Sequence, residues 1–166
     1  MTMHSALIEH AARWLARKGC AVVITDMSHG GGETADAIGW KGWQSILIEC
    51  KASVSDFRAD REKMFRRMPE RGMAATRYFC APAGLIPVNE LPPRWGLLEL
   101  TASRLRETVA PQRFHEYCAQ TEIGLLISAM RRIGHAAPRG VSVKCYTMDS
   151  LCRATLGIDP EDTWSI

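Results

Sequence analysis

The stretch SILIECKASVSDFRADREK, residues 45–63, places two charged residues inside an apolar run and then continues into a dense stretch of charge. The apolar run has the composition of a β-strand, and side chains alternate between the two faces of a strand. Ile48 and Cys50 therefore share one face, which we expect to be the core side, while Glu49 and Lys51 share the other. The alternation predicts a carboxylate and an ammonium group standing together on the sheet.

The elements around this strand predict an α/β fold. A first helix begins near Ser5 and ends before Gly19, because a basic turn followed by glycine marks a helix end. A second helix is expected over residues 53–67. Runs rich in β-branched and apolar residues predict five strands, at 20–25, 34–40, 44–51, 76–81 and 95–101. The order of helix, three strands, helix and two strands predicts a mixed β-sheet flanked by helices.

The link between the second and third predicted strands, residues 41–43, is short enough for an antiparallel hairpin. Such a hairpin brings Asp36 beside Glu49 on the neighbouring strand. Carboxylates are hard oxygen ligands, and Mg²⁺ takes one or two of them while it keeps several waters. We therefore expect Asp36 and Glu49 to share a cation, with the backbone carbonyl of Cys50 as a further ligand. Lys51 would hold the attacking water and offset charge on a phosphate.

The last third of the chain follows a different pattern. It predicts a helix over about 113–133, a short strand at 141–147 and a closing helix near 148–156. We interpret residues 1–100 as the core domain and residues 101–166 as a largely helical C-terminal extension packed on it.

The pairing of Ala35-Asp36 with Glu49-Cys50-Lys51, in this order of elements, resembles the PD-(D/E)XK nuclease superfamily, which has the restriction-endonuclease-like fold. Within it, IECKASVSDFRADREK and TRYFCAPAGLIPVNELPPRWGLLEL are similar to the MmcB-like proteins associated with DNA repair, over roughly residues 5–100. The resemblance implies a hydrolase, a Mg²⁺- or Mn²⁺-dependent phosphodiesterase that acts on DNA as an endonuclease or a repair nuclease. It implies that Asp36 and Glu49 are metal ligands and that Lys51 is the catalytic lysine. The proline that gives the motif its name is absent, because position 35 is alanine in this chain.

Two further acidic residues have alternative interpretations. Members of this superfamily often carry an acidic residue on the first helix that reaches the metal through water, and Glu9 is in that position. Glu9 would otherwise pair with Arg13 at i, i+4 on a solvated face. Glu33 either lines the same site or closes the glycine-rich loop that precedes it.

A local excess of basic residues between Asp56 and Arg77, seven against four acidic ones, predicts a surface for the DNA backbone. The alternative is a solvated helix face with mixed ion pairs. Arg131, Arg132 and Arg139 would continue the patch. The predicted nucleic-acid-binding residues are Arg58, Arg61, Arg66, Arg67 and Arg71.

Composition limits the remaining classes of function. The formal net charge of only +3 disfavours indiscriminate binding to polyanions, and six cysteines without a CxxC pair disfavour a zinc knuckle. The sequence has neither a membrane-spanning segment nor a signal peptide, so we expect a cytoplasmic protein. A homodimer is left open. The rival to the enzyme is a catalytically silent DNA- or protein-binding module that retains the nuclease fold.

Overall fold

The computed structural model describes residues 1–27, 33–102 and 104–133. Its helices and strands, in chain order, are α1 (Met3–Arg17), β1 (Val22–Met27), β2 (Ala35–Lys41), β3 (Gln44–Cys50), α2 (Val54–Asp60), α3 (Met64–Arg67), β4 (Thr76–Pro82), β5 (Gly96–Thr101), β6 (Arg104–Val109) and α4 (Ala119–Ile133). The predicted α/β fold with a mixed sheet flanked by helices is confirmed.

The six strands form one sheet in the order β1-β2-β3-β4-β5-β6. Strands β1 to β3 are antiparallel, β4 is parallel to both β3 and β5, and β6 is antiparallel to β5. The predicted hairpin between β2 and β3 is present, with Lys41 paired to Gln44. Gly42 adopts a φ of 59°, a left-handed conformation that favours glycine in such a tight turn.

Helix α1 covers one face of the sheet. Its buried side is formed by Leu7, Ala11 and Leu15, and it packs on Ile48 and Cys50 of β3, as the alternation along that strand predicts. The helix begins earlier than the sequence indicates. The side chain of Thr2, and not that of Ser5, is the N-cap, because the Thr2 hydroxyl accepts a hydrogen bond from the amide of Ser5.

The opposite face of the sheet is covered as well. Phe79 of β4 lies between two rings, edge-on to Phe57 of α2 at 5.1 Å and stacked on Trp95 at 4.5 Å. This second layer buries the charged pair of β3, leaving Glu49 1% and Lys51 3% exposed. The pair is therefore an interior feature and not an exposed ion pair.

The helix expected over residues 53–67 is divided. Ser53 caps α2 as predicted by accepting from the amide of Asp56, but the helix ends at Asp60 and α3 has only four residues. Lys63 separates them with an extended ψ of 137°. Helix α3 has no buried apolar residue, so Met64 and Phe65 do not form the expected apolar face.

Strand β6 was not predicted, and α4 begins at Ala119, later than the expected 113. The exposed, charged sequence of β6 lacks the apolar alternation of a half-buried strand. One compact unit of the chain spans Met1–Leu126 and contains the six-stranded sheet. The division into a core over residues 1–100 and an extension over residues 101–166 stays a prediction. The predicted strand at 141–147, the closing helix near 148–156 and Arg139 lie outside the described residues.

A buried carboxylate of α4 that the sequence did not single out supports the sheet. Glu122 accepts hydrogen bonds from the indole of Trp40, the hydroxyl of Ser45 and the amide of Ala74. These three bonds satisfy groups that would otherwise be costly to bury. Within the described residues, no helix has the length and apolar character needed to cross a membrane.

Candidate active site

The β2–β3 hairpin and the start of the following loop bring the three predicted catalytic residues to one place. Ala37 pairs with Ile48, so Asp36 and Glu49 occupy the next positions along two adjacent strands. The amide of Cys50 donates to Oδ2 of Asp36 at 2.7 Å, which fixes that carboxylate against β3. Lys51 reaches Glu49 with an Nζ to Oε2 distance of 3.5 Å. Asp36, Glu49 and Lys51 therefore converge as the sequence predicts.

Three cations surround one oxygen of Glu49. Its Oε2 lies 3.5 Å from Nζ of Lys51, 3.5 Å from Nη2 of Arg66 and 3.7 Å from Nζ of Lys63. The other oxygen, Oε1, is buried and has no hydrogen-bond partner. Buried polar atoms in folded proteins are nearly always paired, so an unpaired carboxylate oxygen here marks a place for an ion or a polar ligand.

Asp60, the last residue of α2, holds the same three cations from the other side. Its Oδ1 lies 3.0 Å from Nζ of Lys51 and 2.7 Å from Nζ of Lys63, and its Oδ2 accepts from Nε of Arg66. The side chain of Asp60 is 1% exposed. Lys51 is thus closer to Asp60 than to Glu49, and Asp60 determines where its ammonium group lies.

Glu9 and Glu33, the two further acidic residues with alternative interpretations, have different surroundings. Glu33 lies in the cluster, but both of its oxygens are engaged, one by Nη1 of Arg66 at 3.1 Å and one by the amide of Met73 at 2.6 Å. Glu9 forms the i, i+4 pair with Arg13 at 3.2 Å, and both side chains are about half exposed. The residue of α1 that contacts the site is His4, whose Nε2 lies 3.4 Å from Oδ1 of Asp36.

The basic surface expected from the sequence needs correction. The side chain of Arg66 is only 3% exposed, and it compensates buried carboxylates. Arg77 is fully buried and donates to backbone carbonyls. The other predicted DNA-binding arginines are exposed. Arg58 and Arg61 both pair with Glu90, Arg67 pairs with Glu62, and Arg71 approaches the sulfur of Met64.

The electrostatics of the cluster follow from burial. Desolvation raises the pKa of Glu49 to about 7; the charge of Asp36 acts in the same direction, while Arg66 and Lys63 act against it. Burial also raises the pKa of Asp36. Burial would raise the pKa of Asp60 too, but Arg66, Lys63 and Lys51 together outweigh it and lower that pKa. The negative charge of Glu49 is therefore less well compensated than that of Asp60, and an added cation would stabilise it.

Glu49 should make stability fall as the pH rises. Its pKa rises on folding from 4.5 to about 7, so the folded state binds more protons than the unfolded state between these values. In EDTA, wild-type stability should decrease across this window by up to about 3 kcal/mol, since one pKa unit is about 1.4 kcal/mol. Glu49→Gln should remove most of this decrease, which urea unfolding at a series of pH values measures. An unchanged slope in the variant would contradict the assignment.

A cavity of about 340 Å³ gives access to the cluster and is lined by Glu33, Thr34, Glu49, Lys63, Met64 and Phe65. Among the described residues, no three His, Cys, Asp or Glu side chains are grouped as a complete metal site. Two carboxylates with one unpaired oxygen nonetheless suit Mg²⁺, which fills its remaining positions with water. Asp36, Glu49 and the Cys50 carbonyl therefore stay the predicted ligands of a divalent cation.

Sequence reasoning missed part of this site. The available signal is that Asp60 and Lys63 share one side of the predicted helix with Asp56, but a carboxylate in a first turn, such as Asp56, is also explained by the helix dipole. Arg66 was assigned to the surface because its sequence neighbours are basic. For the contact of His4 with Asp36, no local signal exists.

Comparison with known proteins supports the fold alone. No protein-family model matches the chain, and no curated protein matches it. One solved structure that resembles it is the SPO1766 protein of unknown function from Silicibacter pomeroyi, with a TM-score of 0.64 and 22% sequence identity. The similarity covers 86% of this chain and 97% of that one.

Proposed function

We propose that this chain is a metal-dependent DNA nuclease that hydrolyses phosphodiester bonds in DNA repair or processing. The observation that carries the proposal is the buried, unpaired Oε1 of Glu49 beside Asp36 and Lys51. Nη2 of Arg66 and Nη1 of Arg77 are also buried without a hydrogen-bond partner, but among the described residues only the Glu49 oxygen is an unpaired buried acceptor, and the negative charge of Asp36 acts on the same carboxyl group. A cytoplasmic location and a homodimeric assembly belong to the same proposal.

Each residue of the cluster has a role in this reaction. Asp36 and Glu49 would hold Mg²⁺ or Mn²⁺, which when bound supplies Lewis acidity toward a phosphate oxygen and a more acidic water. The amide of Cys50 orients Asp36 through the 2.7 Å hydrogen bond. Lys51 is held between Glu49 and Asp60, so that its ammonium group orients the attacking water and stabilises charge that develops on the phosphate.

Charge balance also supports a bound cation. Five carboxylates of the cluster (Glu33, Asp36, Glu49, Asp56, Asp60) face three cations (Lys51, Lys63, Arg66). A divalent cation added to this set would bring its formal charge to zero. The exposed Arg67 and Arg71 on the following segment supply contacts for the nucleic-acid backbone.

A second function is favoured by one observation. Lys51, Lys63 and Arg66 already neutralise Asp60 and one oxygen of Glu49. A cluster in which resident cations take the place of the metal would suit a catalytically silent DNA- or protein-binding module that retains the fold.

Metal binding and cleavage measured together test the proposal. We expect Mg²⁺ and Mn²⁺ to raise the melting temperature of the wild type, to show a heat of binding in calorimetry and to support cleavage of a fluorogenic DNA that EDTA stops. Glu49→Gln should lose all three effects. Glu62→Gln is the matched control, because Glu62 is exposed and pairs only with Arg67 among the ion pairs observed in the described residues. Absence of cation binding to the wild type would support the silent module instead.

A further inference from the structure

A second cavity of about 410 Å³ lies beside the acidic cluster. Its lining includes Trp95 and Phe114, which are both largely buried, and Pro92 and Pro93, which add further apolar surface. Its polar groups are mixed in sign, with Arg94 and His115 as donors and Glu70 and Glu116 as acceptors, and all four of these residues are exposed. Such a lining suits a flat ring with both donor and acceptor atoms on its edge.

The walls of this cavity are fixed by the backbone. The carbonyl of Arg94 accepts from the amide of Gln112 at 3.0 Å, and Nη1 of Arg94 donates to the carbonyl of Arg113 at 2.8 Å. The amide of Phe114 donates to the carbonyl of Ala75 at 2.8 Å. Arg94 also has a φ of 70°, a left-handed conformation that costs a non-glycine residue free energy. The strained residue therefore lies at the rim of a cavity whose walls are tied together.

We propose that this cavity binds one unpaired nucleobase of a nucleic-acid strand. Glu70 and Glu116 would repel a phosphate, whereas carboxylates accept from the amino groups of bases and arginine donates to base acceptors. Unpaired bases are read in this way on their polar edges and against aromatic or guanidinium planes. A base pair within a duplex presents no free base that could enter such a cavity.

Arg66 connects the cavity to the candidate active site. Its guanidinium lies 4.4 Å from the centre of the Trp95 ring, and its Nη2 lies 3.5 Å from Oε2 of Glu49. A base in the cavity would thus place its own strand next to the carboxylates. Resting on the proposed function, this arrangement makes the substrate a single-stranded or locally unpaired strand.

The test measures binding in EDTA, where no hydrolysis occurs. Fluorescence anisotropy compares a labelled single-stranded DNA, the same sequence as RNA and a DNA hairpin duplex. Arg94→Ala removes a charge from the cavity rim. Arg113→Ala is the matched control, because it removes the same charge from a neighbouring exposed residue and keeps the carbonyl to which Arg94 donates. His115→Ala is a second cavity variant, and melting temperatures verify that each variant is folded.

We expect the wild type to prefer a single strand over the duplex, with DNA against RNA showing which strand is the ligand. Arg94→Ala and His115→Ala should each weaken single-strand binding roughly tenfold and leave duplex binding unchanged, since base-edge contacts have effects of this order. Arg113→Ala should change single-strand binding by less than about threefold, as expected for a general charge effect. Equal losses in Arg94→Ala and Arg113→Ala, or no preference for a single strand, would overturn the inference. Absence of cleavage in Mg²⁺ would instead count against the nuclease proposal, whatever the binding result.

Discussion

Replacing Lys51 with methionine is expected to slow DNA cleavage by about 10²–10³-fold, the cost of removing one preorganised donor from a transition state. The Lys51 ammonium group is buried, 3.0 Å from Asp60 and 3.5 Å from Glu49, so it contacts the cluster without being a metal ligand. Methionine has a similar length and no charge. Affinity for Mg²⁺ should therefore stay close to the wild-type value, whereas Asp36→Ala and Glu49→Ala should lose both binding and rate. Single-turnover cleavage and calorimetric titration separate these effects.

Lys63→Met provides the matched control for this result. Lys63 also approaches Glu49 and Asp60, but its side chain is 48% exposed. It should lose much less activity than Lys51→Met, because solvent screens a charge at the rim more strongly. Equal losses in the two lysine variants would mean that total charge, and not a positioned ammonium group, determines the rate.

The part of the site that lies on the β2–β3 hairpin could be predicted because it depends on local geometry. Alternation along the predicted strand places Glu49 and Lys51 on one face, and the short link expected over residues 41–43 places Asp36 beside Glu49. The same local reasoning predicts helix α1 and the succession of strands β1 to β5 along the chain. Each of these inferences needs only the side-chain periodicity of a helix or strand and the number of residues that connect two elements.

The remaining part depends on contacts that local patterns do not encode. Arg66 has the sequence context of a surface residue, yet its guanidinium bridges Glu33 and Asp60, which belong to separate parts of the chain. Asp60 ends α2 and Arg66 belongs to α3, so this contact joins the two short helices across the break between them. Strand β6 is recruited by pairing with β5, although its own sequence is polar.

Arg77→Met is expected to lower the free energy of unfolding by about 3–5 kcal/mol, because three buried backbone carbonyls would lose their donor at about 1–3 kcal/mol each. Arg77 is fully buried and donates from Nε to the carbonyl of Ala74 at 3.0 Å and from Nη2 to those of Pro69 and Gly72 at 2.6 and 3.1 Å. Burial lowers the pKa of Arg77 to about 10, because a buried positive charge loses its hydration. The three hydrogen bonds and the negative charge of Glu33 offset this loss.

Urea unfolding at neutral pH measures this loss, with Arg71→Met as the matched control. Arg71 lies on the same segment but is exposed, so its replacement should change stability by no more than about 0.5 kcal/mol. Arg77→Lys should fall between the wild type and Arg77→Met, because one ammonium group cannot reproduce the planar fork of a guanidinium. Since Met73 in this segment donates to Glu33, Arg77→Met should also loosen the wall of the acidic cluster. A loss below about 1 kcal/mol would show that the carbonyls find other donors and that Arg77 does not hold the segment in place.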